Sequence, residues 1–226
     1  MLVAINRAET NNYYNTYTQQ AETKLTAIDS KINDSTFLFV KRLIDLAAVL
    51  ILSIPASIIV LITMLAIRLE SKGSALYFQE RCGLNGKVFN VIKLRSMYTD
   101  AECNGPQWAK KNDSRVTRVG KFIRATRIDE LPQLINVLRG DMSLVGPRPE
   151  RPMFVEEFSK EIPDFKDRLL VKPGLTGWAQ VNGGYDISAK EKLHLDKYYI
   201  RNISIMMDLK ILLSTVRVVF TGDGAR

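Results

Sequence analysis

The stretch LIDLAAVLILSIPASIIVLITMLAI, residues 43–67, decides the fold, because its 25 residues carry a single charge, that of Asp45. A helix needs about 20 apolar residues to cross the ~30 Å hydrocarbon core of a bilayer. The stretch therefore predicts a membrane helix. It does not fit a cleavable signal peptide, since the apolar run begins late, follows acidic residues and lacks a small-residue cleavage site.

Pro55 lies near the middle of this stretch, and proline removes a backbone donor and bends a helix. Each arm beside it would rise only about 14 to 18 Å, near half of the hydrocarbon core. Basic residues flank both ends: Lys41, Arg42, Arg68 and Lys72. Because the positive-inside rule then favours neither orientation of a straight span, we expect a re-entrant helix broken at Ser53 and Pro55. An ordinary kinked transmembrane helix is the alternative.

Composition narrows the class of protein. The chain has 226 residues, 46% of them hydrophobic, which is enough for one compact domain with appendages. Its formal net charge of +8 indicates an anionic partner, which could be nucleic acid, anionic lipid or a phosphorylated substrate. Cys82 and Cys103 form no metal-binding pattern, which indicates a reducing compartment. The single histidine, His194, leaves little for a zinc site or a Ser-His-Asp triad.

Beyond the membrane segment, the pattern predicts helices and one small β-hairpin. Short strands at 75–78 and 88–93 flank a turn at 83–86. The polar stretch 100–113 predicts a surface loop. Residues 205–220 carry one apolar helical face, which would lie either in the membrane interface or against the soluble core.

The block RATRIDELPQLINVLRG, residues 124–140, places two adjacent carboxylates at the start of a helix. Pro132 is tolerated in a first turn, so Asp129 and Glu130 should stand at the N-terminus, and Gly140 should end the helix. Free N–H groups at a helix start stabilise ionised carboxylates and attract phosphate oxygens. The alternative for Asp129 is a simple N-cap.

Three further signals accompany this pair. Upstream, basic residues recur at every third position, and Arg124 is among the best placed to reach the carboxylates. In GDMSLVGPRP, residues 140–149, Pro147 and Pro149 stiffen the backbone around Arg148, which suits bidentate phosphate binding but also a structural turn. The loop KPGLTGWAQVNGG, residues 172–184, would contact a base or sugar, or form a tight turn with a core tryptophan.

Taken in this order, the blocks resemble the bacterial sugar transferase family, the monotopic polyprenyl-phosphate phosphoglycosyl transferases. The resemblance runs from about residue 39 to 220 and includes FQER at 78–81, KLRSM at 93–97, DEL at 129–131, GPRP at 146–149 and DKYY at 196–199. Members usually carry Ser-Pro at the membrane break. This chain has Ile54 before Pro55, with Ser53 one position earlier.

The resemblance implies that a UDP-sugar donates its sugar phosphate to a polyprenyl phosphate, usually undecaprenyl phosphate, with release of UMP. Such a reaction initiates polysaccharide or glycoconjugate synthesis. By position in the motifs, Asp129 would be the nucleophile that forms a phosphosugar-aspartyl intermediate, and Glu130 would help to hold Mg²⁺. Substrate-binding roles fall on Lys93, Arg95, Arg124, Pro147, Arg148, Pro149 and Asp196.

We therefore predict a mostly α fold with a small β-hairpin (α+β), in which a re-entrant membrane helix and interfacial amphipathic helices surround a compact cytosolic catalytic domain. The predicted segments are a polar leader (1–36), a membrane anchor (37–72), the catalytic domain (73–222) and a tail (223–226). The expected location is the cytoplasmic face of the bacterial inner membrane. Nucleic acid is not an expected partner, and a homo-oligomer is left open. A membrane-tethered basic binding or scaffold protein without catalysis is the alternative.

Overall fold

The computed structural model describes residues 32–103, 105, 113–183 and 187–221. Nearly all of the predicted leader, the predicted tail and much of the predicted loop at 100–113 lie outside the described residues.

The described residues form mostly helices, with two small two-stranded sheets. The elements are α1 (Ser35–Glu70), β1 (Leu76–Cys82), β2 (Val88–Leu94), α2 (Arg118–Ala125), α3 (Leu134–Arg139), β3 (Ser143–Val145), α4 (Pro152–Glu161), β4 (Gly174–Thr176), α5 (Trp178–Asn182), α6 (Ala189–Arg201) and α7 (Ile205–Thr221). Short 3₁₀ helices cover Leu84–Gly86, Ile128–Gln133 and Pro163–Leu169.

The predicted fold class is confirmed. Strands β1 and β2 form the expected antiparallel hairpin, with Leu76 opposite Leu94 and Cys82 opposite Val88. The parallel pair of β3 and β4 was not predicted, because strands of three residues are too short to show a periodic pattern.

Helix α1 begins at Ser35, two residues before the predicted anchor, and ends at Glu70. The carboxylate of Asp34 caps its start by accepting hydrogen bonds from the amides of Thr36 and Phe37 at 2.9 and 3.2 Å. Among the described helices, α1 alone is long and apolar enough to cross a membrane, as judged by length and composition.

The expected break at Ser53 and Pro55 is not an interruption, because α1 continues as a helix through the proline. The hydroxyl of Ser53 donates to the carbonyl of Leu50, and that of Ser57 donates to the carbonyl of Ile54, each at 2.8 Å. Proline removes one backbone donor at this point of the helix. The two hydroxyls bond carbonyls next to this point, those of Leu50 and Ile54.

One side of α1 contacts the domain along its length. The buried residues on this side are Lys41, Asp45, Val49, Ala56, Thr63 and Ile67. The other sides expose large aliphatic side chains, such as Ile51 at 72% and Ile54 at 71%. Helix α1 is therefore both a core element and an apolar surface.

The first end of α1 is fixed by buried polar contacts. Lys41 Nζ donates to the carbonyl of Val145 at 3.1 Å and forms an ion pair with Asp208 of α7. The hydroxyl of Tyr199 donates to the other oxygen of Asp208 at 2.8 Å. The charge of Asp45 is also satisfied, since its carboxylate accepts bonds from β3. The first end of α1 is thus joined to β3, α6 and α7.

The second end of α1 contacts the same domain. The carboxylate of Glu70 accepts bonds from the amides of Arg118 and Val119, at 2.7 and 3.0 Å, and so caps the start of α2. Arg95, which follows β2, donates to the carbonyls of Ser71 and Lys72 at 2.9 and 2.6 Å.

Helix α7 packs on the soluble core, which was one of the two alternatives for its apolar face. Ile211 is fully buried in the main core, with Val49 of α1 and Tyr199 of α6. A second, exposed stripe of apolar side chains runs along the outer side: Met206, Leu209, Leu213 and Val216. One face of α7 packs on the core, and the stripe is available to a membrane interface.

We expect Lys41→Met to destabilise the protein by about 3 kcal/mol, because removing one partner of a buried ion pair leaves the other charge uncompensated. For a chain of this size the loss corresponds to a melting temperature roughly 6 to 12 °C lower. Differential scanning fluorimetry in detergent measures this decrease in melting temperature. The matched control is Lys87→Met, whose side chain is exposed in the hairpin turn. Equal melting temperatures for the two variants would contradict a stabilising role for the cluster.

Candidate active site

A single buried asparagine positions the candidate site. Asn136 of α3 is fully buried, and its side chain accepts from the amide of Ile92 at 3.1 Å and donates to the carbonyl of Asn90 at 2.8 Å. These bonds fix α3 and the preceding 3₁₀ turn against β2. Lys93 of β2 thereby lies beside Glu130.

The predicted helix around Asp129 and Glu130 is divided in two. Residues 128–133 form a 3₁₀ helix, and α3 begins only at Leu134. The turn starts from Arg127, whose φ of 57° is left-handed. Asp129 and Glu130 do stand in the first turn, and Gly140 ends α3 with a φ of 87°, as predicted.

Glu130 is paired with two cations. Its carboxylate accepts a hydrogen bond from Lys93 Nζ at 2.9 Å. It also accepts one bond from each terminal nitrogen of the Arg148 guanidinium, with Nη1 at 3.1 Å from Oε2. Burial opposes ionisation of Glu130, but Arg148 and Lys93 outweigh it and hold the pKa of Glu130 well below its usual range. The adjacent negative charge likewise raises the pKa of the Arg148 guanidinium.

Asp129 has the opposite electrostatic character. Burial, followed by the charge of Glu130, raises the pKa of Asp129 to about 6, although Lys93, Arg148 and Arg124 partly oppose the rise. The two adjacent carboxylates therefore have pKa values shifted in opposite directions, as is usual for pairs in which each group has a different chemical role. Glu130 is a fixed anion, whereas Asp129 is a more basic carboxylate.

Several predicted residues meet here and others do not. Lys93 and Arg148 contact Glu130 directly, and the charge of Arg124 acts on Asp129. Pro147 and Pro149 are buried on either side of Arg148.

Two predicted substrate-binding residues bond elsewhere in the protein. Arg95 bonds the turn after α1, so the geometry gives no support to its predicted substrate contact. Asp196 is 1% exposed and pairs with Arg168 instead of facing the site.

Sequence reasoning missed Asn136 and Arg168, and the reason is the same for both. Asn136 reaches β2 across 44 residues, and Arg168 reaches the Arg148 carbonyl across 20 residues. Neither residue belongs to a local pattern that signals a partner so far along the chain.

The loop at 172–184 forms β4 and α5, with Trp178 half-buried, and its contact with a base or sugar stays a prediction. Trp178 stacks on Tyr198 with ring centroids 5.4 Å apart, and Lys210 Nζ lies 5.1 Å from the Trp178 ring centre. The glycines permit close backbone approach, since a Cβ on Gly174 would lie 2.1 Å from the amide nitrogen of Gly146. The amide of Gly174 also donates to the carbonyl of Pro147 at 2.9 Å, so this loop contacts the Arg148 loop. Gly184 lies outside the described residues.

Asp129 and Glu130 are also the candidate ligands of the predicted magnesium ion. Magnesium commonly uses one or two carboxylates together with substrate phosphates. No described residue donates a hydrogen bond to Asp129, so its oxygens can ligate a metal. Both oxygens of Glu130 already accept hydrogen bonds from Lys93 or Arg148. To ligate a metal, Glu130 would have to lose one of these bonds. The described residues include no group of three or more His, Cys, Asp or Glu side chains placed to hold a metal. Asp129 would therefore hold a magnesium ion only together with phosphate oxygens, and the magnesium site and the metal role of Glu130 stay predictions.

Residues 36–222 match the family model of the bacterial sugar transferases. The chain belongs to the bacterial sugar transferase family. This confirms the resemblance drawn from the motifs, and the match covers α1 as well as the site around Asp129 and Glu130.

Similar proteins within the family carry different sugars in their names. The chain is 45% identical over 202 residues to UDP-N-acetylgalactosamine-undecaprenyl-phosphate N-acetylgalactosaminephosphotransferase of Aeromonas hydrophila, covering 88% of the chain and 48% of that relative. It is 44% identical over 190 residues to UDP-glucose:undecaprenyl-phosphate glucose-1-phosphate transferase of Caulobacter vibrioides, covering 82% and 71%. It is 36% identical over 219 residues to undecaprenyl-phosphate galactose phosphotransferase of Salmonella typhimurium, covering 90% and 45%. The chain thus spans about half the length of two of these three relatives.

The pKa of Asp129 can be measured directly. In protein labelled with ¹³C at aspartate carboxyls, we expect the Asp129 resonance, assigned by its loss in Asp129→Asn, to titrate near pH 6. Glu130→Gln removes the adjacent negative charge and should move this titration to lower pH. An Asp129 midpoint near 4 would contradict the described environment.

Proposed function

We propose that this chain transfers a sugar 1-phosphate from a UDP-sugar to a polyprenyl phosphate and releases UMP, through a covalent intermediate on Asp129. The observation that carries the proposal is the division of the carboxylate pair. Asp129 is basic and accepts no bond from a described residue, whereas Glu130 holds two cations beside it. The similar proteins, whose names specify sugar phosphate transfer to undecaprenyl phosphate, support the same reaction class.

In the first step a carboxylate oxygen of Asp129 attacks the phosphorus that carries the sugar. The new bond joins that oxygen to phosphorus, the bond between this phosphorus and the bridging oxygen breaks, and UMP leaves with the electron pair. Both reactants are anions, so the step needs nearby positive charge. Arg148 and Lys93 provide fixed cations, and Arg124 adds a third within electrostatic reach of Asp129.

In the second step an oxygen of the lipid phosphate attacks the same phosphorus. The bond from Asp129 to phosphorus breaks, which restores the carboxylate and leaves the sugar on a polyprenyl diphosphate. A magnesium ion beside Asp129 would neutralise charge on the diphosphate and polarise its oxygens. The protein itself supplies the nucleophile, the phosphate-binding cations and the rigid support beneath them.

The membrane helix fits this chemistry if it enters and leaves on the same side of the bilayer. Support comes from its two ends, since Arg42 donates to the carbonyls of α3 and Glu70 caps α2 of the same domain. A straight span would instead place the two ends on opposite sides of the ~30 Å hydrocarbon core, where one domain on the cytoplasmic side could not contact both. The arrangement favours a bilayer-embedded helix that keeps Asp129 near the plane of lipid phosphates, on the cytoplasmic face where nucleotide sugars occur.

A labelling experiment without lipid acceptor tests the two-step reaction. Wild-type protein incubated with a panel of UDP-sugars radiolabelled in the sugar should acquire a covalent label from at least one donor and release an equal amount of UMP. Asp129→Asn should acquire none, because an amide is a poor nucleophile. Glu130→Gln keeps the nucleophile and should still label, at a lower rate, which separates loss of attack from loss of charge support.

Absence of any label on the wild type, together with UMP release only when polyprenyl phosphate is added, would favour direct transfer in one step. Absence of UMP release under both conditions with every donor would reject the transferase function itself.

The rate of this first step should fall in acid. Only ionised Asp129 can attack, and its pKa lies at about 6. Ionisation therefore decreases as pH falls through 6, and the single-turnover rate constant for UMP release, measured below saturating donor, should drop about tenfold between pH 7 and pH 5. The measurement omits the lipid acceptor, because a phosphate monoester also titrates near pH 6. A flat profile over this range would contradict Asp129 as the nucleophile.

A further inference from the structure

The loop that carries Arg148 is held at four successive backbone carbonyls, those of residues 147–150. Each accepts a hydrogen bond from a different residue outside the loop. In chain order of the carbonyls, the donors are the amide of Gly174 at 2.9 Å, the guanidinium of Arg168 at 2.8 Å, the guanidinium of Arg81 at 3.0 Å and the amide of Cys82 at 2.9 Å. The backbone around Arg148 is therefore held by three segments of the chain: β1, the 3₁₀ helix Pro163–Leu169 and β4.

Arg168 has a special place among these donors, because it bonds to the carbonyl of Arg148 itself. It is 3% exposed and belongs to the 3₁₀ helix Pro163–Leu169. The nitrogen that bonds this carbonyl, Nη2, also donates to Asp196 at 2.7 Å, and Nη1 forms an ion pair with Glu150 at 3.6 Å. Arg168 is thus held in place by two buried carboxylates and by the ring of Phe165, 5.1 Å away.

The two prolines limit what this bond has to fix. Pro147 and Pro149 have their own φ angles locked by their rings, and Pro149 also restricts Arg148 to extended φ and ψ angles. Within that extended range, ψ of Arg148 can still vary. The Arg148 carbonyl turns with that angle, and Arg168 holds the carbonyl. Fixing ψ also fixes the base from which the Arg148 side chain extends toward Glu130.

We propose that Arg168, held by Asp196, is a positioning residue that sets the orientation of the phosphate-binding Arg148. This inference rests on the proposed function, in which Arg148 contacts the diphosphate. It assigns Asp196 a role different from substrate contact, namely to fix Arg168 from behind. Lysine cannot replace Arg168, because a single ammonium lacks the planar fork that bonds a carbonyl and a carboxylate together.

The first test measures the loop without using catalysis. In Arg168→Lys we expect faster hydrogen exchange at the amides of Gly174 and Cys82, which donate to the loop carbonyls. The matched control is Arg115→Lys, since Arg115 also bonds one backbone carbonyl, that of Ala101, and one carboxylate, that of Asp113. Exchange at Gly174 and Cys82 should be unchanged in the control. Unchanged exchange in Arg168→Lys would overturn the positioning role, whatever reaction the enzyme catalyses.

The second test is a double-mutant cycle on UMP release. Arg168→Lys should lower kcat/KM on the order of tenfold in the wild type, yet have little effect in Arg148→Lys, because the residue acts through Arg148. Equal fold-losses in both backgrounds would show a general structural effect and overturn the proposal. If Arg168→Lys does not fold, Asp196→Asn enters the same cycle, since it keeps the side-chain shape and weakens the hold on Arg168.

The two tests separate the inference from the proposed function. If wild-type protein releases no UMP from any donor, the proposed function fails, while hydrogen exchange still decides whether Arg168 holds the loop. If the wild type is active and the cycle is additive, the function stands and the positioning role fails.

Discussion

The ion pairs of Glu130 are the interaction on which the candidate site depends. Lys93 comes from the hairpin, Glu130 from a 3₁₀ turn, and Arg148 from the loop after β3. One buried carboxylate therefore joins three segments that are distant in the sequence. Two cations compensate one anion, so the cluster keeps an excess of positive charge beside Asp129. That excess suits a diphosphate ligand, and the charge of Glu130 also raises the pKa of Asp129.

The apolar helix and the site are structurally continuous. The same helix that exposes aliphatic side chains along most of its surface buries Lys41 and Asp45 in the domain. Asp45, the one charge in the apolar stretch, accepts bonds from Ser143 and Leu144 of β3. β3 leads directly into the Arg148 loop. A residue that is anomalous for a membrane segment is therefore explained by its contact with the strand that supports the site.

Local patterns predicted much of this fold. The apolar run predicted α1, alternation and turn residues predicted the hairpin, and Gly140 predicted the end of α3. Patterns could not predict pairs such as Lys93 with Glu130, separated by 37 residues, because nothing local encodes which distant cation a carboxylate meets. Arg168 was missed for the same reason, whereas the β3 and β4 pair was missed because three residues are too short to show a periodic pattern. The site roles came from family resemblance, and the geometry then assigned Glu130 and Asp196 to ion pairs within the protein.

Attachment of α1 at both ends has a mechanical consequence. A domain joined to a membrane by a single flexible tether can rotate freely and can change its height above the lipid. Here Arg42 bonds one end of the helix to α3, and Glu70 bonds the other end to α2. With two attachments, the domain and α1 move as one body, so the site keeps one orientation relative to α1. In the proposed function, a polyprenyl phosphate would therefore have to reach Asp129 by lateral diffusion, since the domain could not swing on a tether to meet it.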